Sequence, residues 1–144
     1  MDAKVMFSSK TDDWETSQKT FDELDREFHF TTDVAASSTN FKVKHFYDKQ
    51  TDGLKQGWTG TCWMNPPYGR AIGDWVKKAY EHAEAGEATT VCLLPSRTDT
   101  KWWHDYCMKA TDIRFIKGRL KFGGSKNSAP FPSVIVIFKA NERK

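Results

Sequence analysis

Asn65-Pro66-Pro67-Tyr68 is the feature of this chain with the clearest chemistry. Two successive prolines fix φ and push the residue before them towards extended backbone, so the asparagine amide is held out rather than folded back. An amide oxygen accepts a hydrogen from an amine and leaves the amine neutral. The Pro66 carbonyl can accept a second hydrogen, because proline keeps its acceptor. Together the two contacts orient a nitrogen lone pair towards an electrophile. Tyr68 adds a flat ring on which a planar group can stack. No carboxylate base is needed first, since a neutral amine can attack and then lose its proton. The rate gain comes from positioning and from electrostatics at the developing ammonium. The same residues could also form a structural Pro-Pro turn. An apolar strand before them and an amphipathic helix after them favour chemistry.

The elements around the motif follow from periodicity and breakers. Residues 61–64 (TCWM) read as a strand cut off by the prolines, which cannot sit inside a sheet. After Gly69, Ile72, Trp75, Val76, Ala79, Tyr80 and Ala83 recur at three- and four-residue spacing. That predicts a helix stopped by Gly86. Upstream, Phe21, Leu24 and Phe28 mark a helix capped by Thr16 or Ser17. Residues 29–35 read as a short strand ending in Asp33, and 37–60 as a long polar loop on the active face with room for a helical turn. Residues 89–94 (TTVCLL) are continuously apolar, as in a strand buried on both faces of a parallel sheet. Thr98 or Asp99 is expected to cap a helix running through Trp102, Trp103, Tyr106 and Cys107 to Ala110. Only one of the adjacent Trp102 and Trp103 can face a groove; the other must be core. Residues 112–117 and 133–138 are further strands.

Strand and helix thus alternate, and two strands close the chain with only a loop between them. The expected fold is α/β: a mostly parallel sheet with helices on its faces and a C-terminal antiparallel hairpin at the edge. Ligands in such sheets bind beyond the carboxyl ends of the strands. Asp33, Asn65 and Pro95 all fall there. Residues 13–140 are expected to form one domain, behind a flexible leader over 1–12.

Composition narrows the partners. The 144 residues carry 22 Lys and Arg against 19 Asp and Glu. Residues 113–144 hold eight basic groups and one acidic group, more than the whole net charge of +3. That clustering suits a polyanion such as nucleic acid, and equally a solvated basic hairpin. No apolar run approaches a membrane span, and no basic-then-apolar signal segment opens the chain. Three widely spaced cysteines form neither a disulfide framework nor a metal knuckle, so a reduced, cytoplasmic protein is expected. His29, His45, His82 and His104 lack metal-ligand spacing, and no metal is expected.

The chain resembles the phage-type (Dam-like) DNA N-6-adenine methyltransferases of bacteriophages and prophages. The likeness runs from about Asp12 to Phe138. Its landmarks are Asp13-Trp14-Glu15-Thr16, Asp33-Val34-Ala35-Ala36-Ser37, Asn65-Pro66-Pro67-Tyr68-Gly69, Leu94-Pro95-Ser96-Arg97-Thr98-Asp99-Thr100 and Gly118-Arg119-Leu120-Lys121-Phe122-Gly123. Ser17 stands where relatives often have proline, and Asp33 is followed by small residues rather than glycines. The resemblance implies a small Rossmann-like, S-adenosylmethionine-dependent methyltransferase that methylates N6 of adenine in double-stranded DNA. It further implies a phage or prophage protein acting in the bacterial host cell, with restriction protection as a role.

The resemblance also implies roles for residues. Asn65, Pro66, Pro67 and Tyr68 hold the target base. Trp14, Thr16, Asp33, Ala35 and Asn65 contact the cofactor; Asp33 is equally suited to an Asx turn at the strand end. Arg70, Arg97, Lys101, Arg114, Arg119, Lys121 and Lys126 are expected at backbone phosphates, which positions DNA without reading sequence. Residues 123–130 are a candidate arm over the duplex. The base has to be flipped out of the stack, and a homodimer would supply surface for that distortion. Three other readings fit the same motif: a glutamine-N5 protein methyltransferase, an RNA methyltransferase, and a non-catalytic DNA-binding protein of the same fold.

Overall fold

The computed structural model describes residues 14–122 and 127–142; the expected leader over 1–12 and residues 123–126, the first half of the candidate arm with Lys126, lie outside them. In chain order the elements are α1 (Gln18–Phe28), β1 (Thr32–Asp33), a 3-10 turn (Gly53–Lys55), β2 (Gly60–Met64), α2 (Ile72–Glu84), β3 (Ala88–Pro95), α3 (Lys101–Asp105), a second 3-10 turn (Cys107–Lys109), β4 (Asp112–Phe115) and β5 (Ser133–Phe138). They form one sheet of order β1-β2-β3-β5-β4. β1, β2 and β3 are parallel neighbours, and β5 runs antiparallel to both β3 and β4. Four strands therefore point one way. The terminal hairpin is present, but its second strand is inserted between β3 and β4 rather than added at the rim.

Register places the helices. Trp63, Val91 and Ile137 lie in one row across β2, β3 and β5. Phe21 of α1 meets Trp63 edge-on at 5.6 Å, so α1 covers that face. Cys92 and Val136 pair on the other face, as do Thr90 and Phe138. Tyr80 of α2 meets Phe138 there at 6.2 Å. Every residue of β5 is buried, as expected for a strand covered on both faces.

Local chemistry sets the ends. Ser17 caps α1 by accepting from the Thr20 amide, and His29 closes it in a left-handed conformation at φ 55°. After α2, Gly86 adopts φ 75°, and its amide and that of Glu87 donate back to Ala83 and His82. Only glycine reaches that backbone without strain. α3 is shorter than the apolar pattern predicts. Thr100, not Thr98 or Asp99, caps it, and it ends at Asp105 before tightening into the second 3-10 turn. Trp103 is buried and Trp102 half-buried against Gly73, so one of the pair is core as expected.

The loop between β1 and β2 returns to the sheet. Asp33 donates its amide to the His45 carbonyl, and the Tyr47 amide donates to Asp33. Residues 45–47 therefore cover the otherwise open edge of β1. No described helix is long and apolar enough to cross a membrane.

Candidate active site

Asn65 follows the last residue of β2, beside the end of β1. Its Nδ2 donates to the Trp14 carbonyl and, at 2.8 Å, to the Thr16 hydroxyl. A carbonyl only accepts, so the nitrogen end of the amide must face Trp14. Both hydrogens of the amide are thereby used. Its Oδ1 is buried and has no partner. Leaving an acceptor buried and unpaired costs about 1–3 kcal/mol, so such an atom needs an explanation. The Pro66 carbonyl also receives no hydrogen bond among the described residues.

Asp33 ends β1 and is 3% exposed. Burial pushes its carboxyl up to about 6, against the opposing pull of the Lys42 and Ala35 amides and the Lys42 charge. The amide contacts are 3.0 Å from Lys42 and 3.2 Å from Ala35. The Ala35 contact is the Asx turn considered for this residue. It leaves further lone pairs on both oxygens, so the turn and ligand binding are compatible.

These groups share one cleft of ≈ 780 Å³. It brings together Trp14, Thr16, Asp33, Ala35 and Asn65, expected at the cofactor, with Pro66 and Pro67, expected at the target base. Pro95 ends β3 on the same side but is not part of the wall. The far wall comes from the loop before β2, with Lys42, Tyr47, Asp48, Asp52 and Gly53, and from Trp75 of α2. None of these was singled out as a site residue from sequence. Gly53 is the one with a legible signal. A Cβ there would lie 2.0 Å from the Val34 carbonyl oxygen and 3.0 Å from the Trp75 ring. Only a glycine lets this loop close against β1 and α2.

Tyr68 departs from expectation. Its ring is 3% exposed and is not part of the cleft wall. Its hydroxyl donates to the Leu93 carbonyl at 2.9 Å, and Phe122 and Phe131 meet the ring edge-on at 6.4 and 5.6 Å. Burial pushes the phenol well above its ordinary value, with the nearby Arg97 charge working the other way. The ring is closed over by aromatic neighbours rather than offered as an open plate.

The basic candidates separate into groups. Arg70, Arg97, Arg119 and Lys121 are exposed. Arg119 also reaches the Ala129 carbonyl at 3.4 Å. Lys101 is exposed but paired with Asp105 at 2.6 Å. Arg114 does not fit a phosphate role. Both terminal nitrogens bind Glu27 of α1, its Nε binds Asp112, and it lies over the Phe28 ring. At the described end of the candidate arm, Ala129 is buried and its amide donates to the Leu120 carbonyl. Among the described residues no group of three or more His, Cys, Asp or Glu side chains could hold a metal ion.

Residues 4–144 match the family described as DNA N-6-adenine-methyltransferase (Dam). A DNA N-6-adenine-methyltransferase of Haemophilus phage HP1 (strain HP1c1) is 31% identical over 141 residues, covering 91% of this chain and 80% of that protein. The chain belongs to the Dam family of DNA N-6-adenine-methyltransferases.

Proposed function

We propose that this adenine-N6 DNA methyltransferase binds S-adenosylmethionine in the cleft and receives the target amine at Asn65. The observation that carries the proposal is the buried, unpartnered Asn65 Oδ1 beside a cleft that also holds a desolvated carboxylate. Family membership makes DNA adenine the substrate, and the glutamine, RNA and binding-only readings give way to it.

The residues present suit the cofactor. The cleft volume is in the range of small-molecule sites. Asp33 offers lone pairs to hydroxyl or ammonium hydrogens, and Thr16 offers a hydroxyl. Ala35 and Ala36 keep the neighbouring wall low. The parallel strands β1, β2 and β3, with β5 inserted antiparallel, support a small Rossmann-like methyltransferase fold. When bound, S-adenosylmethionine supplies an electrophilic methyl group on a positively charged sulfur.

Asn65 Oδ1 and the Pro66 carbonyl each accept one N6 hydrogen, leaving the nitrogen lone pair free to attack. As the new N–C bond forms and the methyl carbon's bond to sulfur breaks, its electron pair staying on sulfur, positive charge passes to that nitrogen, and the same two oxygens stabilise it. The surplus proton then passes to water. Adenine must leave the duplex stack to reach them. Stacking on Tyr68 requires Phe122 and Phe131 to draw back, while the Leu93 contact keeps the ring in place. Arg70, Arg97, Arg119 and Lys121 grip phosphates.

Calorimetric titration with S-adenosylmethionine tests the cleft assignment. The wild-type protein binds, and Asp33→Ala binds at least about ten-fold more weakly while keeping its circular dichroism spectrum. Equal affinity in the two proteins contradicts the assignment.

A further inference from the structure

We propose that the Trp14 carbonyl and the Thr16 hydroxyl form a positioning device that fixes which end of the Asn65 amide faces the substrate. The proposal rests on Asn65 being the group that receives the target amine. The two ends of a carboxamide have nearly the same shape and opposite hydrogen-bonding character. Turned by half a rotation, the Asn65 side chain would still fit, but it would present two donors to an amine whose own hydrogens are donors. Something must select the productive orientation.

Two groups make that selection. The Trp14 carbonyl is an acceptor with no alternative role, so it tolerates only the NH₂ end. A turned amide would set two oxygens against each other at hydrogen-bond range. The Thr16 hydroxyl takes the second amide hydrogen at 2.8 Å. Alone it could serve either orientation, because a hydroxyl both donates and accepts. Beside the Trp14 carbonyl it completes the set. Thr16 is 4% exposed and 49 residues from Asn65 in sequence, so neither solvent nor local chain geometry substitutes for it. Since its oxygen receives the amide hydrogen, the Thr16 proton is left for an acceptor in the cleft. The hydroxyl thus links the cofactor side of the cleft to the amide, and a chain of hydrogen bonds with one direction reinforces itself.

Thr16 is accordingly a positioning residue that acts through Asn65. Losing one of the two orienting bonds lowers the turnover of bound substrate about five- to ten-fold. It does not remove the acceptor itself.

The test compares Thr16→Val, Thr16→Ser, Asn65→Asp and Asn65→Ala in single-turnover methylation of unmethylated duplex DNA at saturating S-adenosylmethionine. The predicted result is a five- to ten-fold lower rate constant for Thr16→Val, DNA affinity within about two-fold of wild type, and recovery in Thr16→Ser. Asn65→Asp keeps the shape but has no hydrogen for the Trp14 carbonyl, so its loss is at least as large. It also covers the case in which Thr16→Val fails to fold. Wild-type rates in Thr16→Val or Asn65→Asp, with Asn65→Ala inactive, overturn the positioning role and leave Asn65 in place. A Thr16→Val defect seen only in the cofactor concentration needed, or one that Thr16→Ser does not restore, overturns it too. Wild-type turnover in Asn65→Ala removes the reading of Asn65, and this proposal with it.

Discussion

Arg114 sets its guanidinium against the Glu27 carboxylate with both N···O distances at 2.7 Å, 87 residues away in sequence. The contact joins β4 to α1 across the sheet. It uses donors that a phosphate would otherwise take. Arg114→Ala should therefore leave duplex affinity and its salt dependence unchanged. The pair is half exposed, so its loss should cost no more than about 1 kcal/mol of stability. Arg97→Ala and Arg119→Ala should each lower the slope of log affinity against log salt by about 0.9, read by fluorescence anisotropy over a salt series. A slope change in Arg114→Ala would return that residue to the interface.

Asp33 carries a pH signature. Burial raises its carboxyl from 3.8 to about 6, so between those values the folded protein holds more protons than the unfolded chain. Its contribution to stability therefore falls as pH rises through that window, and the full cost, at most about 3 kcal/mol, is present above it. Asp33→Asn removes this cost. The denaturant midpoint of the variant minus that of wild type should increase from pH 4 to pH 7. A constant difference would contradict the buried charge. Wild-type affinity for S-adenosylmethionine should rise over the same interval, because binding uses the ionised form.

Gly53 is where the loop wall is most sensitive. A Cβ placed 2.0 Å from the Val34 oxygen forces the loop away from β1 or Trp75 out of place. Gly53→Ala should cost about 1–3 kcal/mol in urea unfolding and weaken S-adenosylmethionine binding in calorimetry. Unchanged affinity would place the cofactor away from this wall.

Tyr68 separates anchoring from stacking. Tyr68→Phe loses the bond to the Leu93 carbonyl, about 1 kcal/mol of stability, but keeps the ring and should retain most turnover. Tyr68→Ala should lose about 3–5 kcal/mol and activity together. Paired thermal melts and methylation assays read both effects. Near-complete loss of turnover in a folded Tyr68→Phe would assign the hydroxyl a direct role.

Elements with strong local signals were legible in the sequence. The run Ser133–Phe138 is dense in β-branched residues and became β5 with the expected ends. The α2 stripe is long enough to override ambiguity, and Asn65 stands out because prolines punctuate a strand. Contacts that depend on distant residues left no local trace. Lys42, Tyr47 and Asp48 sit in an aperiodic polar stretch, and only its return along β1 brings them to the cleft. The Glu27 partner of Arg114 and the Phe122 and Phe131 cover over Tyr68 are likewise tertiary. The α3 pattern overreached because Trp103 and Cys107 are buried equally well by one helical turn followed by a 3-10 turn.

On the proposed function, the free Asn65 oxygen receives the target amine. The most direct measurement is methyl transfer from labelled S-adenosylmethionine to unmethylated duplex DNA, with nucleosides identified by mass spectrometry, for wild type and Asn65→Ala. The wild-type protein should yield N6-methyladenine, and the variant a rate lower by about 100-fold or more with cofactor affinity within a few-fold. A folded Asn65→Ala protein that makes N6-methyladenine at the wild-type rate would contradict that role of Asn65.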